Sequence, residues 1–288
     1  IAQCLVGSEM CIRDRYYIYR LKSGANTDGA TITIPDSVDG IPVTRLIDRD
    51  LGFSSYNNIS KLIIGKNISY IGTKSTISSD ETQELGDDFF SLATSLTAIE
   101  VSLENTSFSS HNGILYNKDQ TVLLRYPASK TMSNQQASHR FVIPNTVILI
   151  YEKAFSLNLT LEMITFGENV ETIGDEAFSG CENLVNVNFN NAPIKSIGTK
   201  AFERCHSLDT IVLPTQLEKL GSSVFMGCSQ LVEIYFSNTI LEIGRNCFTG
   251  CTSLETIYTD FDFVDQLKVI FAQNNEKFID YITGTSRN

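Results

Sequence analysis

A phenylalanine recurs at a nearly constant spacing through the second half of this chain. The copies that carry it open with an aliphatic residue, and successive openings are 23, 24, 23 and 23 residues apart. Those openings are Ile150, Ile173, Ile197, Leu220 and Ile243. One copy of this length cannot bury its own apolar residues, so neighbouring copies must stack on each other. The period therefore predicts a solenoid.

Each copy has the same order of residue types. Glycine follows the opening residue in four of the five copies, then come phenylalanine, a small polar or thiol residue, and leucine. The aromatic position, called here the Phe position, holds Phe155, Phe178, Phe202, Phe225 and Phe248. The thiol position, called here the Cys position, holds Asn158, Cys181, Cys205, Cys228 and Cys251.

Two local patterns within a copy predict its secondary structure. An alternating segment such as 209–213 has the period of a short, half-buried strand. Pro214 then ends the strand, because proline has no N–H for the ladder. The segment between the Phe and Cys positions has helical spacing, which leaves a short helix or a 3-10 turn open. We therefore predict an α/β repeat solenoid with a parallel sheet of short strands on one face and short helices or 3-10 turns on the other.

Residues 105–140 break the period. Two strand-like runs, 113–116 and 122–126, flank a polar stretch at 117–121. This pattern predicts a β-hairpin that projects from the solenoid.

The repeat resembles that of the BspA-like, or treponemal-type, leucine-rich repeat family. The family unit reads Leu-x-x-Ile-x-Leu-Pro-x-x-Leu-x-x-Ile-Gly-x-x-Ala-Phe-x-x-Cys, and residues 207–221 follow it closely. Residues 112–119 are similar to the hairpin often inserted in such proteins, and residues 33–44 are similar to the usual start of the array. The resemblance covers roughly residues 16–260 and implies a right-handed leucine-rich repeat coil.

These patterns divide the chain into four segments. Residues 1–15 fit no repeat and look like translated sequencing adapter, the alternative being a native leader. Strands that lead into and cap the array are expected at 16–45, the repeat array at 46–260, and a helical cap at 261–288. The cap is predicted from one apolar stripe, which consists of Phe263, Val264, Leu267, Ile270 and Phe271.

Composition argues against several classes of function. The chain has 22 Lys+Arg against 33 Asp+Glu, a net charge of −11, whereas nucleic-acid binders usually carry a basic surface. No apolar run approaches the roughly 18 residues of a membrane-spanning helix, so we expect no membrane insertion of this fragment.

We also predict no catalytic, metal or cofactor site, and so no enzyme activity. The three histidines are His111, His139 and His206. Cys205 and His206 form a poor nucleophile–base pair, since sequence neighbours rarely point at each other. The recurring cysteines lack the close pairing of zinc ligands. Stacking would bring successive cysteines near disulfide distance, so both free thiols and bridges stay open.

Strand residues that alternate with the buried ones must point outward along the sheet. They define a candidate protein-binding face that consists of Met163, Thr165, Asn186, Asn188, Thr210, Val212, Glu233, Tyr235, Thr256 and Tyr258. One interpretation is an ordinary solvated sheet. The other is a protein-binding surface centred on Val212, Tyr235 and Tyr258, because exposed aromatic residues on a rigid sheet are common binding anchors.

The sequence therefore predicts a non-catalytic, protein-binding repeat module. The resemblance adds an adhesin-like role at the cell surface or outside the cell, with a host extracellular-matrix or plasma protein as partner. The alternative is a structural spacer or stalk that carries an anchoring or catalytic domain lost from this fragment.

Overall fold

The computed structural model describes residues 29–47, 59–72, 90, 93–130 and 139–285. The chain divides into two compact units, residues 1–130 and 131–288. The predicted leader at 1–15 and the first part of the predicted cap strands at 16–45 lie outside the described residues.

The N-terminal unit consists of short strands in small sheets. The strands are β1 (Ala30–Thr33), β2 (Ser37–Val38), β3 (Ile41–Pro42), β4 (Arg45–Ile47), β5 (Ile59–Ile64), β6 (Tyr70–Gly72), β7 (Ala98–Val101), β8 (Phe108–His111), β9 (Ile114–Asn117) and β10 (Val122–Arg125). Strands β1, β5 and β7 form one parallel sheet, and β4 pairs in parallel with β6. The parallel pairing is the arrangement that stacked coils require.

The inserted hairpin is confirmed, with one strand more than predicted. Strands β9 and β10 are antiparallel, and β8 pairs antiparallel with β9 to complete a three-stranded meander. The prediction that the hairpin projects is wrong, because Phe108, Leu115 and Leu123 are at most 1% exposed. The backbone N–H of Ile99 on β7 donates to the Gly113 carbonyl oxygen at 2.9 Å. The meander therefore packs beside β7 as part of the unit.

The C-terminal unit contains the regular coils. Its strands are β11 (Arg140–Val142), β12 (Leu149–Ile150), β13 (Met163–Thr165), β14 (Thr172–Ile173), β15 (Asn186–Asn188), β16 (Ser196–Ile197), β17 (Thr210–Val212), β18 (Lys219–Leu220), β19 (Glu233–Tyr235), β20 (Glu242–Ile243), β21 (Thr256–Asp260) and β22 (Ile282–Thr285). Strands β13, β15, β17, β19 and β21 carry the predicted face. Parallel pairing joins β11 to β13 and β13 to β15, and likewise β17 to β19 and β19 to β21, which confirms the solenoid fold class.

A second parallel sheet runs through the same coils. It consists of the two-residue strands β12, β14, β16, β18 and β20, each paired in parallel with the next. The repeat pattern predicts only one sheet. Two residues contain a single alternation, such as half-exposed Leu149 and buried Ile150, which is too short for a periodic signal.

The segment around the Phe position is a series of hydrogen-bonded turns, and neither the short helix nor the 3-10 segment expected from the sequence forms there. Successive backbone N–H groups alternate between two kinds of partner. The N–H of Ser156 donates to the Lys153 carbonyl oxygen within the same turn at 3.1 Å, whereas the N–H of Phe155 donates to the Ala177 carbonyl oxygen of the next coil at 2.7 Å. Left-handed backbone at Lys153 and Leu157, with φ of 54° and 58°, produces this alternation. Together with the two sheets, the turns therefore form a third side of each coil that is hydrogen-bonded to the neighbouring coil.

Stacked aromatic rings fill the centre of the coils. The ring centroids of Phe155 and Phe178 lie 4.7 Å apart, and those of Phe178 and Phe202 lie 5.1 Å apart with the planes 3° from parallel. The stack continues through Phe225 to Phe248 at 5.8 and 6.0 Å. All five rings are fully buried, so the recurring phenylalanine of the sequence is one continuous column.

The end of the chain closes this column. The predicted apolar stripe lies on helix α1 (Val264–Asn274) and the 3-10 helix before it, Phe261–Phe263. Leu267, Ile270 and Phe271 are buried. The Phe271 ring lies 5.7 Å from that of Phe248 and 7° from parallel, and so occupies the next place in the stack. A second 3-10 helix, Glu276–Tyr281, leads to β22, which pairs in parallel with β21.

The recurring glycine lies where two coils approach most closely. A Cβ atom built on Gly221 would lie 2.6 Å from the carbonyl carbon of Gly198 and 2.6 Å from the nitrogen of Thr199. Both atoms belong to the backbone of the preceding coil, so neither can move without shifting that coil. The glycine is therefore required by space between coils.

We expect Gly221→Ala to lower the free energy of unfolding by about 1–3 kcal/mol, the usual cost of overpacking. Denaturant unfolding followed by circular dichroism measures this. Gln216→Ala, at an exposed site, is the control and should change stability by less than about 0.5 kcal/mol. Equal stability of the two variants would show that the coils are not in close contact here.

Candidate protein-binding face

The structure places all ten predicted face residues on the outer side of five strands. Met163 and Thr165 of β13 pair with Asn186 and Asn188 of β15. Farther along, Thr210, Glu233 and Thr256 form one row, and Val212, Tyr235 and Tyr258 form the row beside it. Between each outward pair lies a buried aliphatic residue. The alternation that predicted the face is thus present.

The face is interrupted between β15 and β17, where the sheet ladder stops. The copy at this point is the one with 24 residues. Its extra residue falls in the loop 189–195 between β15 and β16, where Asn190 and Asn191 adopt left-handed φ values of 49° and 56°. Asparagine tolerates this conformation better than most residues. The predicted columns therefore form two sheets, β11-β13-β15 and β17-β19-β21-β22.

A stacked tyrosine pair with a shared carboxylate occupies the sheet β17-β19-β21-β22. The rings of Tyr235 and Tyr258 lie 4.5 Å apart and 16° from parallel. The Tyr235 hydroxyl donates to Glu233 Oε2 at 3.1 Å, and the Tyr258 hydroxyl donates to Glu233 Oε1 at 3.4 Å. We call these three residues the Tyr–Glu cluster. Each carboxylate oxygen accepts one hydroxyl, so the cluster is ordered before any partner arrives.

Burial and the neighbouring carboxylate keep the Tyr235 hydroxyl as a donor. Desolvation, and then the hydrogen bond to Glu233 and the charge of that carboxylate, raise the pKa of Tyr235 above its usual value. Ionisation of a tyrosine beside a carboxylate would place two negative charges in contact, which is unfavourable. Tyr235 therefore stays protonated at neutral pH, and its hydrogen bond to Glu233 persists.

Val212 extends the cluster with exposed apolar surface. Its side chain is 52% exposed, and its Cα pairs with that of Tyr235 on the neighbouring strand. The exposed valine and the two half-buried aromatic rings form an apolar row, which lies beside the polar row that contains the Glu233 carboxylate. This combination is typical of a contact surface, where apolar anchors lie beside polar groups that orient the partner.

Two residues at the ends of the face are absent from the set predicted from the sequence. Val142 of β11 is 66% exposed and pairs with Thr165, which extends the first sheet by one strand. The alternation along the strand could have identified Val142, since it stands between two buried residues in the run 141–143. Phe261, also 66% exposed, follows β21 and lies against Gly284 of β22. No repeat pattern reaches it.

The five cysteines among the described residues have buried side chains. In the part of the chain that the structure describes, Cys181, Cys205, Cys228, Cys247 and Cys251 form no disulfide. The Cys205 thiol donates to the carbonyl oxygen of Phe178 at 3.3 Å, and that of Cys228 donates to Phe202 at 3.2 Å. The Cys position therefore connects each coil to the preceding Phe position.

This environment argues against thiol chemistry. Burial raises the pKa of both Cys205 and Cys228 well above the usual value, because the thiolate would lose its hydration. The Cys205 thiol donates to a backbone carbonyl and His206 is half-exposed beside it. Across the described ranges, no group of His, Cys, Asp and Glu side chains is arranged to hold a metal ion.

We expect Cys205 and Cys228 to react with iodoacetamide roughly tenfold more slowly in the folded protein than in the denatured protein, at mildly alkaline pH. The thiolate is the nucleophile, and burial disfavours its formation. Peptide mass spectrometry after timed quenching measures each site. The denatured chain is the control. Equal rates in the two states would contradict the burial of these two thiols.

The fold and this face define a leucine-rich repeat solenoid. Residues 128–255 match the family described as BspA type Leucine rich repeat region, in 6 copies. This part of the chain is therefore a BspA-type leucine-rich repeat array, which confirms the resemblance that the repeat residues carry. No curated protein sequence matches the chain. None of the helices formed by described residues is long and apolar enough to cross a membrane.

Among the solved structures that share the fold are the following two. One is a leucine rich cell surface protein from Faecalibacterium prausnitzii A2-165, with a TM-score of 0.62 and 22% identity; the match covers 85% of this chain and 55% of that one. The other is the pneumococcal vaccine antigen PcpA, with a TM-score of 0.64 and 21% identity, covering 89% of this chain and 79% of that one. This chain thus spans little more than half of the first relative.

Proposed function

We propose that this chain is a non-catalytic, protein-binding module displayed at the cell surface or secreted, and that the Tyr–Glu cluster with Val212 is the centre of its contact surface. The observation that carries the proposal is the stacked Tyr235–Tyr258 pair on the outer side of the sheet. Leucine-rich repeat solenoids generally present extended surfaces to protein partners. The surface location is supported by the shared fold with a protein described as a cell surface protein.

The rigidity of the sheet favours this role. The backbone of β19 is paired on both sides, with β17 and β21, so the tyrosines stand on a fixed support. A binding residue that is already ordered loses little conformational entropy when the partner arrives. Tyrosine adds a large contact area and a hydroxyl for a polar contact, which is why it is frequent among residues that dominate binding energy.

The partner class is an extracellular-matrix or plasma protein, as the family resemblance implies. A negatively charged face is compatible with a protein partner and unfavourable for a nucleic acid. A spacer or stalk is the competing function, and it predicts that no part of the strand face contributes to capture of a partner. The two functions are separated by the same binding experiment.

We expect the double variant Tyr235→Ala/Tyr258→Ala to weaken binding by about 2 kcal/mol or more, roughly thirtyfold in Kd, because both anchors are removed. Binding to a panel of immobilised matrix and plasma proteins is measured by biolayer interferometry. Leu241→Ala is the matched control, since Leu241 is 73% exposed and lies outside the face.

Two results would contradict the proposal. Undiminished capture by the double variant would exclude the tyrosines as anchors. Failure of the parent chain to capture any member of the panel would favour the spacer function. Circular dichroism of the variant checks that the solenoid is intact, which is expected because both side chains are on the outer side of the sheet.

A further inference from the structure

The free capacity of the Glu233 carboxylate indicates what the face would bind. An ionised carboxylate has two oxygens with about four acceptor sites in total. Tyr235 occupies one site on Oε2 and Tyr258 occupies one on Oε1. One acceptor site on each oxygen is left, and two parallel N–H groups of a guanidinium match such a pair.

The surroundings of the carboxylate leave room for such a group. Its row neighbours are Thr210 and Thr256, which pair with it on β17 and β21. Thr210 is exposed and Thr256 is half-buried. Glu233 itself is half-exposed between these two short side chains, whose hydroxyls can accept further N–H groups of an arginine.

Charge selects the same partner chemistry. Strands β17, β19 and β21 and the residues directly beside them, 207–214, 230–237 and 253–263, contain no Lys, Arg or His. The same ranges contain five acidic residues: Asp209, Glu233, Glu255, Asp260 and Asp262. Asp209 and Glu255 are exposed in the coils on either side of β19. The local potential therefore favours a cation and repels an acidic segment.

The basic side chains of these coils lie elsewhere. Lys195 and Lys219 are on or beside the second sheet, where Lys219 forms an ion pair with Glu242 at 3.1 Å. Lys200 and Arg204 are on the turn side. Glu233 accepts its hydrogen bonds from two neutral hydroxyls, so its negative charge is oriented without being neutralised by them.

We propose that the Tyr–Glu cluster is an arginine-recognition site, in which Glu233 accepts a bidentate guanidinium from an arginine of the protein partner. The inference rests on the proposed function, since it names the partner chemistry of the same face. Tyr235 and Tyr258 act as positioning residues through their hydroxyls, and their ring edges border the guanidinium. Lysine is a poorer fit, because its ammonium is a point charge without the planar fork.

The test uses the whole chain and three blocked peptides, acetyl-Gly-Ser-X-Ser-Gly-amide, in which X is arginine, lysine or citrulline. Citrulline keeps the shape of arginine and lacks its charge. Each peptide is titrated while the ring resonances of Tyr235 and Tyr258 are followed by NMR. We expect the arginine peptide to shift both rings and the citrulline peptide to shift neither.

Variants locate the site. Glu233→Gln should weaken binding of the arginine peptide about tenfold or abolish it, since a charge-assisted bidentate pair is lost. Glu242→Gln removes the same charge from the second sheet and should leave binding unchanged. Tyr235→Phe/Tyr258→Phe keeps the rings and removes the orienting hydroxyls, so it should weaken binding severalfold and leave the ring stack in place.

Several results would overturn the inference: equal binding of the citrulline peptide, an unchanged affinity of Glu233→Gln, or an equal loss in Glu242→Gln, which would indicate a general charge effect. These results are independent of the proposed function. If the tyrosine-to-alanine variant loses capture of a matrix or plasma protein while Glu233→Gln retains it, the face binds protein without an arginine site. If the arginine peptide binds through Glu233 and no panel protein is captured, the assigned partner class is wrong.

Discussion

Contact between successive coils is the interaction on which the C-terminal unit depends. A single coil has an apolar stripe and many unpaired backbone groups, and neither is satisfied within the coil. The face strands, the second sheet and the turns each supply backbone hydrogen bonds to the next coil. The column of phenylalanine rings fills the space between these three sides. Every other feature of the unit follows from the need to keep neighbouring coils in register.

That requirement explains residues that look unrelated in the sequence. The glycine that follows the opening residue in four of the five copies is needed because two backbones approach closely there, as at Gly221. The cysteine is small enough for the buried interior and donates its thiol hydrogen to a carbonyl of the preceding coil. Asn158 fills the first Cys position differently: its Oδ1 accepts the N–H groups of Thr160 and Leu161, so its polar side chain is satisfied while fully buried.

The last coil needs a substitute for a neighbour, and α1 supplies it. Phe271 extends the ring stack from a helix in place of a turn. Phe278, on the following 3-10 helix, packs edge-on against Phe248 at 5.4 Å. Asn275 is buried, and its amide donates to the Gly244 carbonyl at 2.9 Å. The cap thus meets both the apolar and the polar needs of the final coil.

The core of the repeat could be predicted from the sequence because its residues face identical neighbours in every coil. Phe202 and Leu208 recur with their period, and period is the strongest signal that a single sequence contains. The second sheet and the left-handed turn residues could not be predicted, because Leu149–Ile150 is too short and Lys153 has no turn signature. The break after β15 comes from one inserted residue whose effect depends on three-dimensional register.

The candidate site, like the fold, could be predicted from the sequence only in part. Alternation alone predicts that Tyr235 and Tyr258 point outward from neighbouring strands, and the structure has them there. The hydrogen bonds of both hydroxyls to Glu233 depend on side-chain rotamers, about which the repeat contains no information. Glu233 was included in the predicted face as an outward residue, and its orienting role required the geometry.

The central claim is that the outer side of β17, β19 and β21 is the surface that contacts the partner. Hydroxyl-radical footprinting with and without a captured matrix or plasma protein tests it directly, because it measures the solvent access of individual side chains. The account predicts that oxidation of Tyr235, Tyr258 and Val212 falls on binding, while oxidation of Leu241 and Leu157, which are exposed elsewhere, stays unchanged. Protection of Leu241 or Leu157 with unchanged oxidation of the two tyrosines would contradict it.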